Sequence, residues 1–274
     1  MPLTFVAQGP MLVPTGYVGV GDLVSTPLSV YFGLRAYSRA TCGQPCCAIF
    51  SGGFSQGATI NTLANGQIDI AAVDAFQAAF GVANFRMYDQ INNTSCTSPG
   101  GGVTLAWTPA DPLSPYADFS LNTETFTNTS GNVAGFTMVA KVTGSLTSEQ
   151  VFGDAGNFVN NRIGFNDGGT HDNTWYISDD GAGGILRGAA TDNVFHAAQA
   201  NYTATTACSL YIDGVNNTGV IAGNIQSSVR YAAGATHIAT FNFVGGMREW
   251  GVYADDQSAN FAAVNANQRA YWGF

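Results

Sequence analysis

Phe85-Arg86-Met87-Tyr88-Asp89-Gln90 is the run whose reading decides the fold. Its apolar and polar residues alternate, as in a half-buried strand. Just before it, Asp69 stands as a helix cap. Ile70, Val73, Phe76, Gln77 and Phe80 then recur at helical spacing, and Gly81 is a stop. The spacing therefore predicts a helix from Asp69 to about Phe80, with Asp74 on its polar side, handing the chain to a strand. Asp89 has two readings. It faces a groove and orients a ligand, or Asp89 and Gln90 satisfy backbone groups where the strand leaves the helix; the second is adopted here.

Toward the N-terminus, Asn65-Gly66 signals a tight turn. Thr59–Leu63 and Cys46–Phe50 read as short strands, the latter ended by Gly52-Gly53. Leu28–Ala40 fits a strand or a short helix, and Gly33 interrupts both. Residues 1–27 carry Pro2, Pro10, Pro14 and Pro27 among several glycines, which makes extended pieces and turns. This segment is either a sheet edge or an arm that docks on a partner, and we divide the chain at 27/28.

Toward the C-terminus, strand signals recur every 8–12 residues. They are Val103–Trp107, Phe119–Leu121, Gly135–Val142, Gln150–Gly153, Arg162–Phe165, Thr174–Ser178, Gly184–Gly188, Thr206–Ile212, His237–Phe243 and Met247–Tyr253. Asp213-Gly214 is a strong hairpin turn. Asp255, Asp256 and Ser258 can cap a last helix carrying Phe261, Val264 and Gln268, before an aromatic end at Tyr271-Trp272-Gly273-Phe274. The fold class is all-β: a two-sheet sandwich or jelly roll with two short helices.

Composition agrees. Only 10% of the residues are charged, yet 18 Phe, 11 Tyr and 4 Trp supply a large core. The net charge is −9 and Lys141 is the only lysine, which argues against nucleic acid and anionic membranes as partners. No apolar run reaches the length of a membrane span. No basic region precedes the apolar residues of Met1–Val13, so they are not read as a signal peptide. Cys42, Cys46, Cys47, Cys96 and Cys208 lack zinc spacing. They are read as small buried thiols; a strained Cys46–Cys47 disulfide, or a link from that cluster to Cys96, is the alternative.

The richest polar cluster is Asn166–Tyr176 with Asp179-Asp180-Gly181. Asp167, His171, Asp172, Trp175, Asp179 and Asp180 are the candidate carbohydrate-binding residues, because sugar sites combine carboxylate and amide groups with an aromatic face. The same oxygens would suit calcium, the one cofactor considered. The competing reading is two hairpin turns around a strand whose Trp175 is core. His196 and His237 have no partner at useful spacing. No G-x-S-x-G elbow is present, and Pro99–Gly102 lacks the Lys-Ser/Thr of a phosphate loop.

Three stretches carry a family resemblance: GLRAYSRA at 33–40, NGQIDIAAVDAFQAAFG with FRMYDQ at 65–90, and MREWGVY with the terminal RAYWGF. Together they resemble the concanavalin A-like, laminin-G-type sandwiches of bacteriophage tail and head appendages. The first two also resemble the α-L-arabinofuranosidase catalytic domain, in which YDQ is usually followed by Ser-Gly-Asn-Gly. Here Ile91-Asn92-Asn93-Thr94 follows. The resemblance implies a jelly roll with a concave face able to hold sugar. It does not carry over catalysis. Glu124, Glu149 and Glu249 are the only glutamates, and Ile238–Gly246, where the enzymes keep an acid, has no carboxylate.

The expectation is therefore a virion appendage subunit, a fibre, spike or decoration protein. It would be a homo-oligomer, anchored to other virion proteins by residues 1–27 and binding host-surface glycan. A glycoside hydrolase, using carboxylates among Asp167, Asp172, Asp179, Asp180 and Glu249, is the second reading. A purely structural capsid or tail component is the third.

Overall fold

The computed structural model of the protein describes residues 16–95, 103–119, 126–128, 131–143, 150–155, 162–165, 174–179, 184–189, 193–202, 208–219, 226–228, 231–233 and 243–274. The first half contains β1 (Val30–Gly33), β2 (Pro45–Phe50), β3 (Gly57–Asn61), α1 (Ile70–Phe80), β4 (Asn84–Asp89), β5 (Thr94–Ser95), β6 (Thr104–Ala106), β7 (Tyr116–Asp118), β8 (Phe126–Asn128) and β9 (Gly131–Val133). Then follow β10 (Gly135–Val142), β11 (Gln150–Ala155), β12 (Arg162–Phe165), β13 (Thr174–Asp179), β14 (Gly184–Ala189), β15 (His196–Asn201) and β16 (Cys208–Ile212). The chain ends with β17 (Val215–Gly219), β18 (Gln226–Ser228), β19 (Tyr231–Ala233), β20 (Gly245–Tyr253) and α2 (Phe261–Trp272).

Among the described residues, twelve strands form one antiparallel sheet whose main path is β17-β16-β15-β10-β20-β1-β4-β2-β3. Six more form a second sheet, β14-β13-β12-β11-β19-β8. The inner face of the large sheet meets the second across one apolar core. Val30, Phe32, Phe136, Met138, Trp250 and Val252 face Ile163, Phe165, Trp175 and Ile177. Trp250 stacks on Phe32 with centroids 5.7 Å apart and lies 5.9 Å from Phe136. The architecture is the expected β-sandwich.

A third layer covers the back of the large sheet. There α2 and the turn at Val20–Asp22 bury a second cluster, with Val20, Tyr31, Tyr37, Tyr253, Phe261 and Val264 among its members. Residues 16–27 thus pack onto the body; the earlier part of the expected arm lies outside the described residues.

Local signals explain most boundaries. Asp69 accepts from Ala72 N and caps α1, and Gly81 ends it with φ 73°. Asp74 is pinned by Trp107 Nε1 at 2.9 Å and Ala110 N at 3.0 Å. The hairpin between β16 and β17 turns at Asp213 and Gly214, both at positive φ as that tight turn requires. The 28–40 stretch resolves as β1 followed by a short 3₁₀ turn at Arg39–Thr41.

Other expectations needed correction. A strand runs at Tyr116–Asp118, ahead of the one placed at Phe119–Leu121; Phe119 itself is outside it and packs beside Phe243, and residues 120 and 121 lie outside the described residues. The predicted strand 237–243 lies outside the described residues apart from Phe243, which is not in a strand. β15 was not predicted: its sequence HAAQAN has weak strand propensity, but every residue is buried between its neighbours and α2. Cys42, Cys46, Cys47 and Cys208 are buried and form no disulfide among the described residues, and Cys96 is outside the described residues. The Cys46 and Cys47 sulfurs are 4.0 Å apart, both turned inward where a register shift interrupts the β2–β3 pairing.

Candidate functional site

The opening run is a clamp. Phe85, Met87 and Asp89 alternate inward along β4. Asp89 Oδ1 accepts from Tyr31 N at 3.2 Å and Ile91 N at 3.0 Å, and Oδ2 from Asn92 Nδ2 at 2.5 Å. Burial raises the Asp89 pKa above its ordinary value, against the pull of these donors. Gln90 Nε2 donates to Gly33 O and Arg35 O, and its Oε1 accepts from Tyr37 N. The Tyr-Asp-Gln run therefore fixes the backbone around Arg35, in agreement with the structural reading.

Arg35 leads to an extended buried polar network. Its side chain and that of Glu249 are both 0% exposed, and Arg35 Nε lies 2.5 Å from Glu249 Oε1. Gln268 Nε2 donates to Glu249 Oε2 at 2.9 Å, and Trp272 Nε1 to Oε1 at 2.5 Å. Thr137, Gln199 and Asn265 extend the network across β10, β15 and α2. Burial alone would lower the Arg35 pKa; the Glu249 charge beside it overrides this and raises it. Burial first, then the Glu249 charge, push the Tyr31 phenol well up. This network is why α2 adheres to a sheet face that alternates polar with apolar. Glu249 touches no solvent and is held by three donors, so it cannot reach a glycosidic bond.

An open pocket of about 350 Å³ lies at the edge of this network, lined by Gly16, Tyr17, Asn65, Gln67 and Tyr271. Three distant segments build it. Tyr271 closes α2, and the Arg35 guanidinium sits 4.6 Å from its ring centroid. Tyr17 meets that ring edge-on at 6.3 Å and donates its hydroxyl to Ala36 O. Burial raises both phenols, so they are neutral donors. Asn65 and Gln67 flank Gly66, whose φ is +80° and where a Cβ would collide with the Tyr17 ring. Only glycine suits that position. Asn65 Nδ2 donates to Gln67 Oε1 at 2.7 Å, leaving amide donors and acceptors at the mouth.

Of the predicted carbohydrate-binding residues, Trp175 and Asp179 are among the described residues. Trp175 is fully buried between the sheets, in edge contact with His196, so it packs the core and offers no platform for a sugar. Asp179 ends β13 opposite Gly184. Asp167, His171, Asp172 and Asp180 lie outside the described residues. Among the described residues, no group of three or more His, Cys, Asp or Glu side chains is arranged to hold a metal ion. The Tyr17–Tyr271 pocket was missed because its parts are 254 positions apart; Asn65-Gly66 was the one local signal, and it reads as a turn.

No protein-family model matches the chain, and no curated protein matches it in sequence. Solved structures do. A mutant GH54 α-L-arabinofuranosidase, soaked with 4-nitrophenyl α-L-arabinofuranoside, superposes with a TM-score of 0.67 at 14% identity, covering 93% of this chain and 65% of that one. The likeness is one of fold. An arabinofuranosidase complexed with arabinofuranosyl-α-1,2-xylobiose gives 0.64 at 15% identity, over 93% and 65% of the two chains. Trypanosoma rangeli sialidase bound to the inhibitor DANA gives 0.50 at 10% identity, covering 68% of this chain and 31% of that one. The chain thus has an arabinofuranosidase-type β-sandwich and spans just under two thirds of the length of the two arabinofuranosidases.

Proposed function

We propose that this chain is a carbohydrate-binding β-sandwich that holds a neutral saccharide at the Tyr17–Asn65–Gln67–Tyr271 pocket. The observation that carries the reading is the pocket itself: an open depression of about 350 Å³ with two tyrosines and two amides, set on a rigid buried network. Amides supply donors and acceptors for sugar hydroxyls, while tyrosine rings supply apolar surface. The likeness of fold to arabinofuranosidases supports the class of ligand. We further propose that the chain is displayed on a virion as an oligomeric appendage, anchored to other virion proteins by the part of its N-terminal segment that precedes the packed residues 16–27. Multivalent display would offset weak single-site affinity for host glycan. This part rests on the resemblance of the three sequence stretches to phage appendage sandwiches.

A glycan array followed by calorimetry on the leading saccharide tests the binding. Asn65→Ala and Gln67→Ala should each weaken it about tenfold without changing the melting temperature. Absence of any array signal overturns the reading. Mass spectrometry of purified particles tests the display, and a chain absent from them overturns that part. Hydrolysis is the second reading, favoured by the same likeness of fold. It needs two carboxyl groups about 5 Å apart, and Glu249 is not available as one of them. Release of nitrophenol from 4-nitrophenyl α-L-arabinofuranoside would establish it over the binding-only reading.

A further inference from the structure

A second polar cluster lies where β7, β20 and β10 run side by side. In register, Gly246 faces Asp118 on one side and Lys141 on the other. Gly246 has no side chain to fill the gap: a Cβ there would meet the Tyr116 ring at 2.7 Å and the Lys141 stem at 3.0 Å. Lys141 Nζ lies 4.3 Å from the Tyr116 ring centroid and 4.9 Å from that of Phe195. Two positions further along β20, the Arg248 guanidinium lies 3.9 Å from the Phe195 centroid and 4.8 Å from that of Trp272. Two cations thus share one aromatic ring.

They lack what cations at this depth usually have. Both are partly buried, and among the described residues neither forms an ion pair; the pairs present are Arg35–Glu249 and His196–Asp213. Arg248 Nε is buried with no hydrogen-bond partner. Burial and the Arg248 charge lower the Lys141 pKa, with Asp118 opposing them. Burial likewise lowers Arg248, with Asp111 and Glu249 opposing. Ring contacts recover only part of the lost hydration of two like charges.

We infer that Lys141 and Arg248 form a second ligand subsite, which takes the carboxylate of an acidic saccharide such as a uronate. The guanidinium fork matches a carboxylate in two-point geometry, and the ammonium adds a point charge. Tyr116 and Phe195 give the sugar ring an apolar border. Asp118 and Asp111 nearby, with the chain's net charge of −9, favour a singly charged carboxylate over a doubly charged phosphate. The saccharide part of this inference rests on the carbohydrate reading; the anion site stands on its own geometry.

Lys141 is the only lysine, so reductive ¹³C-methylation of the full chain places one side-chain signal at the site, beside that of the N-terminal amine. Digalacturonate should shift the Lys141 signal and raise its pKa, because a bound anion favours the charged amine. Arg248→Met should weaken this response about tenfold or more, and so should Lys141→Met when binding is followed by calorimetry. Neutral digalactose should leave the signal in place. No shift with digalacturonate, or an equal shift with digalactose, overturns the proposal. A shift with inorganic sulfate but none with digalacturonate overturns the saccharide assignment. Asn65→Ala separates the two sites: it should weaken neutral-sugar binding about tenfold and leave the uronate response of Lys141 unchanged.

Discussion

The two faces of β20 are equally dry and chemically opposite. Trp250 and Val252 point into the space between the sheets and join its apolar core. Glu249, next to Trp250 in sequence, points to the back and meets Arg35, Gln268 and Trp272. Trp250, Val252 and Glu249 are each 0% exposed. Alternation of polar with apolar residues, which usually marks a wet face, here marks the surface on which α2 lies. The inner face adheres through apolar area and can be repacked; the back, beside its own apolar cluster, adheres around Glu249 through directional bonds that fail if one partner is lost.

The largest effects come from breaking each face at its centre. Trp250→Ala should cost about 3–5 kcal/mol through the cavity it leaves. Glu249→Gln should cost about as much, for a different reason: the Arg35 charge remains buried without its partner. Denaturant unfolding of the double variant Arg35→Met/Glu249→Met tells them apart. Much of the loss should return, whereas no second change to an apolar neighbour should rescue Trp250→Ala to the same degree. If the double variant is as unstable as Glu249→Gln, the back face is held by packing, and the contrast fails.

Trp272→Phe tests the same face more gently. It keeps an aromatic ring and removes the donor to Glu249, with an expected loss of about 1.5–3 kcal/mol. Gly66→Ala probes where the network meets the pocket. Its positive φ should cost about 1–3 kcal/mol, and displacement of Tyr17 should abolish saccharide binding in calorimetry.

The smallest effect concerns Asp89. Its folded pKa is raised, so the folded state holds the proton more tightly than the unfolded chain does. That contribution is complete below the ordinary Asp range and is lost as pH climbs through the raised value. Wild type should therefore lose stability relative to Asp89→Asn over that interval, by about 1 kcal/mol or less. A melting-temperature difference independent of pH would remove burial as the dominant influence on Asp89.

How much was legible in the chain follows the range of the interactions. α1, its Asp69 cap and Gly81 stop, the Asp213-Gly214 turn and strands such as β10 and β12 depend on residues a few positions apart, and sequence reading finds them. β15 escaped because Ala and Gln carry little strand propensity, and its stability comes from neighbours on both sides and from α2. Trp175 looked like a ligand platform because its flanking residues are polar, yet its position in the second sheet turns it into the core.

The sequence by itself determined the fold class, the two helices and the low charge with a single lysine, because periodicity, capping and composition are local or additive. Only the tertiary structure decided that Arg35 meets Glu249 214 positions away, that Tyr17 and Tyr271 share a pocket, and that Lys141 and Arg248 flank one ring. Those pairings depend on strand order and on which face α2 covers. Burial then sets their strength, because a charge or hydroxyl withdrawn from water must find its partner in another part of the chain.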